Sequence, residues 1–301
     1  MKFIRCLLFA AFAATGAAAT EPPRERLPFN DGWKFTRGDH PDTGNALDYE
    51  RVRLWVLPTG DELLNYLPVP RARSDGMPGG RPIQYARADF DDGAWRALTL
   101  PHDWAIEGPF DQQLSGDTGK LPYADVGWYR KKFTLPASDA GRRVHLEFDG
   151  AMSYALVWCN GEFVGGWPYG YTSWRVDLTR FLKPGAENTL AVRLDNPRES
   201  SRWYPGAGLY RNVWLSKSGD VAVARWGVAV TTPQVSAESA LVNVAVTLDN
   251  LTAEPAEVQA VVRLFAADAD GRAVGEPVAE SAPQGHACPP AGRRTSPTRS
   301  S

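Results

Sequence analysis

Cysteine, methionine and histidine are all scarce, with 3, 3 and 4 residues in a chain of 301. Cys6 lies in an N-terminal apolar run, Cys159 in an apolar strand-like run and Cys288 in an irregular C-terminal stretch. Such scattered thiols exclude a disulfide framework even in an oxidising compartment, so stability must come from packing. Cys159, with apolar neighbours, reads as a small buried hydrophobe and not as a nucleophile. His102 and His145 lack partners at metal-ligand spacing, so both read as structural, and neither a metal nor another cofactor is implied. An excess of one charge is also missing. The 33 basic and 35 acidic residues leave a formal charge of -2, and basic residues gather only near the C-terminus, which argues against a nucleic-acid partner.

Long hydrophobic runs are absent apart from Cys6 to Ala14, which is shorter than the roughly 20 residues that span a bilayer. Lys2 and Arg5 accompany this run and Ala17-Ala18-Ala19 follows it, so residues 1–19 are expected to be a signal peptide. The mature protein is then exported, periplasmic or secreted, with no membrane partner. Cys6 sits inside the run and not at the cleavage point, which argues against a lipoprotein. Heptads and long helical periods are missing too. The only helical stretches expected are short, around Leu47 to Trp55 and Asp61 to Tyr66, within an elaborated surface loop inserted over residues 39–81.

What the chain has in quantity is aromatic residues and short alternating segments. It holds 11 tryptophans, enough for a thick β-sandwich core or for sugar-stacking surfaces, and composition does not choose between the two. Apolar residues alternate at Val144, Leu146 and Phe148, and again at Leu190, Val192 and Leu194, the pattern of half-buried antiparallel strands. Tyr154 to Cys159 is apolar on both faces and leads into Asn160-Gly161, a pair suited to a type I′ hairpin turn. That strand is expected inside a sheet covered on both sides. Asp89 to Trp95 reads as a turn, followed by a strand closing at Pro101.

The first domain is therefore placed at residues 20–218. A second set of strands follows at Val221 to Val230, Leu241 to Asp249 and Glu257 to Ala266, with a weaker one at Ala273 to Val278. The spacing is that of an immunoglobulin-like sandwich, but residues 219–281 are too few for the seven strands and roughly 100 residues of such a domain. From Ala282 onward, APQGHACPPAGRRTSPTRSS has no alternation and no acidic residue. Residues 282–301 are expected to be a disordered or frameshifted tail.

Several segments, in order, resemble the N-terminal region of family 2 glycoside hydrolases of the β-galactosidase type. They are LPFNDGWKF (Leu27 to Phe35), LPHDWAIEGPFD (Leu100 to Asp111), VGWYRKKF (Val126 to Phe133) and WPYGYTSWRVDLTRFLKPGAENTLAVRLDN (Trp167 to Asn196). The last leads into SSRWYPGAGLYRNVWL (Ser200 to Leu215). The resemblance implies an all-β fold: a jelly-roll-like galactose-binding sandwich, then an immunoglobulin-like sandwich that is incomplete here. In the family a TIM barrel carries the two catalytic carboxylates, which retaining hydrolysis needs about 5 to 5.5 Å apart. No βα repeat in this sequence could build a barrel. The chain alone is therefore expected to be inactive, with the barrel as its natural intramolecular partner. Asp103, Glu107, Asp111 and Asp195 are the carboxylates that could substitute, and turn formation or pairing with Arg130, Arg202 or Arg211 is the simpler role for each.

The resemblance also implies that Ser201-Arg202-Trp203-Tyr204 belongs to a loop touching the innermost sugar. Arg202 could donate several hydrogen bonds to vicinal hydroxyls, or could pair with Asp195 or Glu199. Trp203 and Tyr204 could stack on a pyranose face or pack on the sandwich edge. Asp103 and Trp104 form a second candidate loop, with turn capping and packing as their structural roles. Trp167, Tyr169 and Tyr171 read as rings covering the sheet end around a tight turn. The expected ligand is a β-galactoside or related glycan, with weak or absent binding by the isolated chain. A free-standing carbohydrate-binding protein and a broken gene product are the competing readings.

Overall fold

The computed structural model describes residues 5–13, 24–64 and 80–290, with side chains placed from residue 24 to 58 and from 80 to 290. Strand β1 is Arg5–Ala13, followed by β2 (Glu25–Pro28), β3 (Trp33–Arg37), helix α1 (Tyr49–Leu64), β4 (Arg96–Leu98), β5 (Asp125–Thr134) and β6 (Arg143–Phe148). Next come β7 (Ala155–Cys159), β8 (Glu162–Trp167), β9 (Trp174–Asp177), β10 (Glu187–Asn196) and β11 (Val213–Ser218). The chain continues through β12 (Val221–Val235), β13 (Ala240–Asn250), β14 (Ala256–Ala267), β15 (Ala273–Glu280) and β16 (Gln284–Cys288). The fold is all-β, and the chain divides into two compact units, the larger being Glu25–Lys217.

In the larger unit a six-stranded sheet, ordered β4-β3-β5-β10-β7-β8, and a four-stranded sheet, ordered β2-β11-β6-β9, share one core. All of these pairings are antiparallel. Alternation decides what enters that core. Tyr129, Val157, Cys159 and Val192 point into it, as do Val144, Leu146 and Phe148 from the opposite sheet. Their sequence neighbours Trp128, Leu156, Trp158 and Ala191 take the other face of the six-stranded sheet, as a two-residue period requires. Between the sheets Trp174 stacks on Phe148, with ring centroids 4.3 Å apart.

The inserted region is more than a surface loop. Val52 and Val56, one turn apart on α1, pack with Leu47, Ile83 and Ala86 over Trp128, Leu156 and Trp158. Both faces of the six-stranded sheet are thereby covered. This accounts for the burial of all of β7, and it corrects the half-buried expectation for β10, whose Ala191 and Arg193 are buried as well. The expected helix over Asp61 to Tyr66 is not separate: α1 runs through Leu64, and residues 65 and 66 lie outside the described residues. Asn160 and Gly161 join β7 to β8 with φ of 53° and 89°, the positive values that a type I′ turn demands.

Two charged clusters stand on β5 and β10, the central strands of the six-stranded sheet. Arg130, fully buried, donates from Nε to Asp92 Oδ2 at 2.9 Å and from Nη1 to the carbonyls of Tyr85 and Arg87. Arg193 makes a bidentate pair with Asp39 at 2.8 and 2.7 Å, and Asp39 also accepts from the Trp128 indole. Arg193 thus ties the start of the insertion to the sheet beneath it, and Arg130 ties down the 85–92 segment that follows it.

In the second unit β14 pairs with β1 along one edge and with β15 and β16 along the other, while β12 and β13 form a separate two-stranded sheet. The apolar N-terminal run read as a signal peptide thus supplies a strand over residues 5–13. Within 282–301, read as a tail, Gln284–Cys288 is a strand, because β14 offers its backbone partners even where the side chains do not alternate. Residues 291–301 lie outside the described residues. Among the described side chains of this unit only Asn250 and Cys288 are buried. Among the described residues no helix is long and apolar enough to cross a membrane.

Candidate sugar-contact rim

Three connections of the larger unit meet: β4 to β5, β8 to β9, and β10 to β11. Their meeting follows from short polar contacts. The strand expected to close at Pro101 ends earlier, at Leu98, and His102 N–H donates to the Leu209 carbonyl at 2.9 Å. Asp103 comes next. Its Oδ1 accepts from the Ala105 backbone N–H at 3.0 Å, the turn contact expected of aspartate. Its Oδ2 accepts the Tyr204 hydroxyl at 2.6 Å, which joins the first connection to the third. Burial, followed by this bond to a carboxylate, pushes the Tyr204 phenol far above its usual range, so it stays protonated and donating.

Trp104 is 1% exposed, stacks on Phe35 with centroids 6.0 Å apart, and donates its indole N–H to the Tyr123 carbonyl. It supports the loop and has no open face, so it does not join the exposed residues as a ligand surface. Gly208 stands where a Cβ would collide with the Tyr129 hydroxyl, and its φ is 103°. Glycine is what lets the third connection press against the sheet at that point. Beneath, His102 Nδ1 lies 2.7 Å from the Tyr129 hydroxyl and Nε2 lies 2.5 Å from Arg96 Nη2. Arg96 in turn holds Glu107 through two bonds of 2.9 Å. Burial lowers the His102 pKa, consistent with a neutral ring whose Nε2 accepts from Arg96.

Arg202 and Trp203 point outward. Arg202 is exposed and, among the described residues, has no hydrogen bond or ion pair. The expected alternatives Asp195 and Glu199 are not its partners: Asp195 lies 3.2 Å from Arg193, and the Glu199 backbone N–H donates to the Tyr123 hydroxyl. Trp203 is 58% exposed, so it is not a core residue, although its indole N–H donates to Tyr171 at 3.0 Å. Tyr204 is half-buried against the core. Trp167 also packs on that core, whereas Tyr169 is 53% exposed and does not cover the sheet end. The other carboxylates are engaged: Glu107 by Arg96, and Asp111 Oδ1 by the Gln113 backbone N–H at 2.8 Å. The guanidinium of Arg202 is left to donate to whatever docks, beside an aromatic ring able to take an apolar face. Sequence reasoning did not single out Tyr171 as the hinge of this rim, and its only signal was the aromatic spacing around Pro168 and Gly170.

The all-β sandwich of the larger unit fits the galactose-binding-like class. Residues 106–205 match the family described as Glycosyl hydrolase 2 galactose-binding domain-like. Beta-galactosidase BoGH2A of Bacteroides ovatus is 46% identical over 266 residues, which cover 87% of this chain and 26% of that protein. A putative beta-glucuronidase of Formosa agariphila is 34% identical over 162 residues, 53% of this chain and 16% of that protein. A solved glycosyl hydrolase family 2 member from Bacteroides cellulosilyticus superposes with a TM-score of 0.65 at 28% identity, covering 88% of this chain and 29% of that one. By sequence and fold this chain is similar to the N-terminal region of family 2 glycoside hydrolases. It spans about a quarter of the length of the B. ovatus relative.

Proposed function

We propose that this chain is the non-catalytic, sugar-contacting part of a β-galactosidase-type glycoside hydrolase, and that its Arg202–Trp203 rim forms one wall of a site completed by a catalytic barrel. The carrying observation is the pairing of an outward guanidinium, without a partner among the described residues, with an outward indole on a loop anchored by Tyr204 and Asp103. A fixed guanidinium fork suits two adjacent hydroxyls. Tyr204 and Asp103 act by placing Arg202, and Trp104 by filling the space behind Asp103. The preference for a β-galactoside rests on the B. ovatus relative, whose identity exceeds that of the glucuronidase. Export follows from the Lys2-to-Ala19 pattern, and it predicts a mature N-terminus near Thr20.

Hydrolysis itself is assigned to the barrel, because a retaining pair of carboxylates must stand free and about 5 to 5.5 Å apart, whereas Asp103, Glu107, Asp111 and Asp195 are each already committed. The test is a chimera in which residues 25–217 replace the matching region of the B. ovatus β-galactosidase. Arg202→Met in that chimera lowers kcat/KM for an aryl β-galactoside by about 10-fold or more, the loss of one charge-assisted contact. An unchanged kcat/KM would remove Arg202 from the site.

A further inference from the structure

We infer that the N-terminal run folds back on its own chain before export: as β1 it closes one edge of β14, so that folding of the second unit hides the leader from the machinery that removes it. The inference rests on the reading of residues 1–19 as a leader and adds a regulation to it.

The pairing is extensive. β1 runs antiparallel to β14 over all 9 of its residues, from Arg5 opposite Ala267 to Ala13 opposite Gln259. The other edge of β14 is taken by β15 and β16. β14 is 12 residues long, AEVQAVVRLFAA, with no proline and with Arg263 as its one basic residue. Arg263 is itself held by Glu280 through a bond of 2.8 Å. Lysine, proline and shortness, the usual devices that keep an edge from pairing, are thus missing from β14. β1 has the sequence RCLLFAAFA, with no charge after Arg5 and no proline to interrupt a ladder. The uncharged apolar stretch that suits an export signal also suits an edge strand.

The two uses exclude each other. A signal is read as an accessible segment, whereas residues held in a ladder are accessible only when the edge opens. Cleavage then tracks the population of the open form. The precursor is processed while its second unit is unfolded, and slowly once that unit has folded.

The backbone of β14 shows where the contact can be broken. Ser281 N–H donates to the Val262 carbonyl at 2.8 Å, and Val262 N–H donates to Ser281 Oγ at 3.0 Å. The main-chain groups of Val262 therefore face away from β1. Those of Val261, opposite Ala11, face toward it, because successive residues of a strand turn their N–H and C=O groups to opposite edges. Val261→Pro removes a donor on the β1 side and leaves the bonds to Ser281 in place.

The test follows cleavage after Ala19 by signal peptidase in mild detergent, read by mass spectrometry. The substrates are the folded full chain, its Val261→Pro variant and a peptide of residues 1–24. The folded chain is cut more slowly than the peptide by about 10-fold or more, the factor set by the closed-to-open ratio of the edge, and Val261→Pro recovers most of the rate. Hydrogen exchange on the same samples finds residues 6–13 protected in the parent and open in the variant, with the protection of β13 unchanged. A parent cut as fast as the peptide, or unprotected over residues 6–13, overturns the regulation and leaves the leader reading in place. A variant with β1 open that is cut as slowly as the parent overturns it too, and the parent's own exchange and cleavage decide if the variant unfolds. A peptide that is not cut overturns the leader reading and the regulation with it.

Discussion

Tyr204 donates its hydroxyl to Asp103 across 2.6 Å, joining segments 101 positions apart in the chain. Asp103 completes its set with the Ala105 N–H, so the bond from Tyr204 satisfies the remaining carboxylate oxygen in a half-buried position. Tyr204→Phe keeps the ring and removes that donor, which should cost about 1–3 kcal/mol. Urea denaturation checks this: the midpoint falls with an unchanged slope. Asp103→Asn should be milder, because its amide can still accept from Ala105 and donate to the phenol oxygen. A Tyr204→Phe midpoint equal to that of the parent would mean the two loops are held by other contacts.

Arg130 and Asp92 form the buried pair beneath the 85–92 segment, with Lys34 as a second cation on Asp92 at 2.9 Å. Asp92→Ala leaves a guanidinium that is fully buried without its counter-charge, a loss on the order of 3–5 kcal/mol. Thermal unfolding should shift down strongly, and hydrogen exchange should rise first in β4 and in the 83–90 segment, whose carbonyls Arg130 also holds.

His145 on β6 should make stability pH-dependent. Burial, followed by the Arg175 charge, lowers its pKa from 6.5 to about 4, against the smaller pull of Asp177 and Glu147. The unfolded chain then binds a proton that the folded chain refuses. Stability is fully present above about pH 6.5 and is lost as pH falls toward 4, by an amount on the order of 2 kcal/mol. His145→Asn should flatten the melting temperature between pH 7 and 4.5 relative to the parent. An unaltered slope would assign the acid sensitivity to other groups.

Cys159 should be chemically silent in the folded protein. It is buried in the core, and burial followed by the Glu162 charge pushes its thiol up to about 12, so almost no thiolate exists near neutrality. Mass spectrometry after iodoacetamide treatment should find Cys159 unmodified in buffer and fully alkylated in guanidinium chloride.

Much of this was legible in the residues. Asn160-Gly161 announced its hairpin because so few residue pairs accept positive φ twice, and Tyr154 to Cys159 announced a doubly covered strand because neither face carries a charge. The cover itself was less visible. Pro58 and Gly60 stand inside α1 and break its apolar pattern, so only Val52 and Val56 mark its inner face, and a period needs more turns than that to show. β16 was hidden because QGHAC lacks alternation, and backbone pairing with β14 asks nothing of side chains. The residue type of Trp203 alone suits packing on the sandwich edge as well as stacking on a sugar. Its indole is held by Tyr171, 32 positions earlier, and local pattern carries no information at that distance.

The most direct test of a sugar-contacting but non-catalytic chain is one sample in which binding and turnover are followed together. The chain is titrated with an aryl β-galactoside while Trp203, identified by substitution, is observed by fluorine-labelled tryptophan NMR and release of the aryl group is monitored. The account predicts a saturable shift at Trp203, lost in Arg202→Met, with no release above the uncatalysed rate. Release of the aryl group by the chain alone, or a Trp203 resonance that does not move at any ligand concentration, would contradict it.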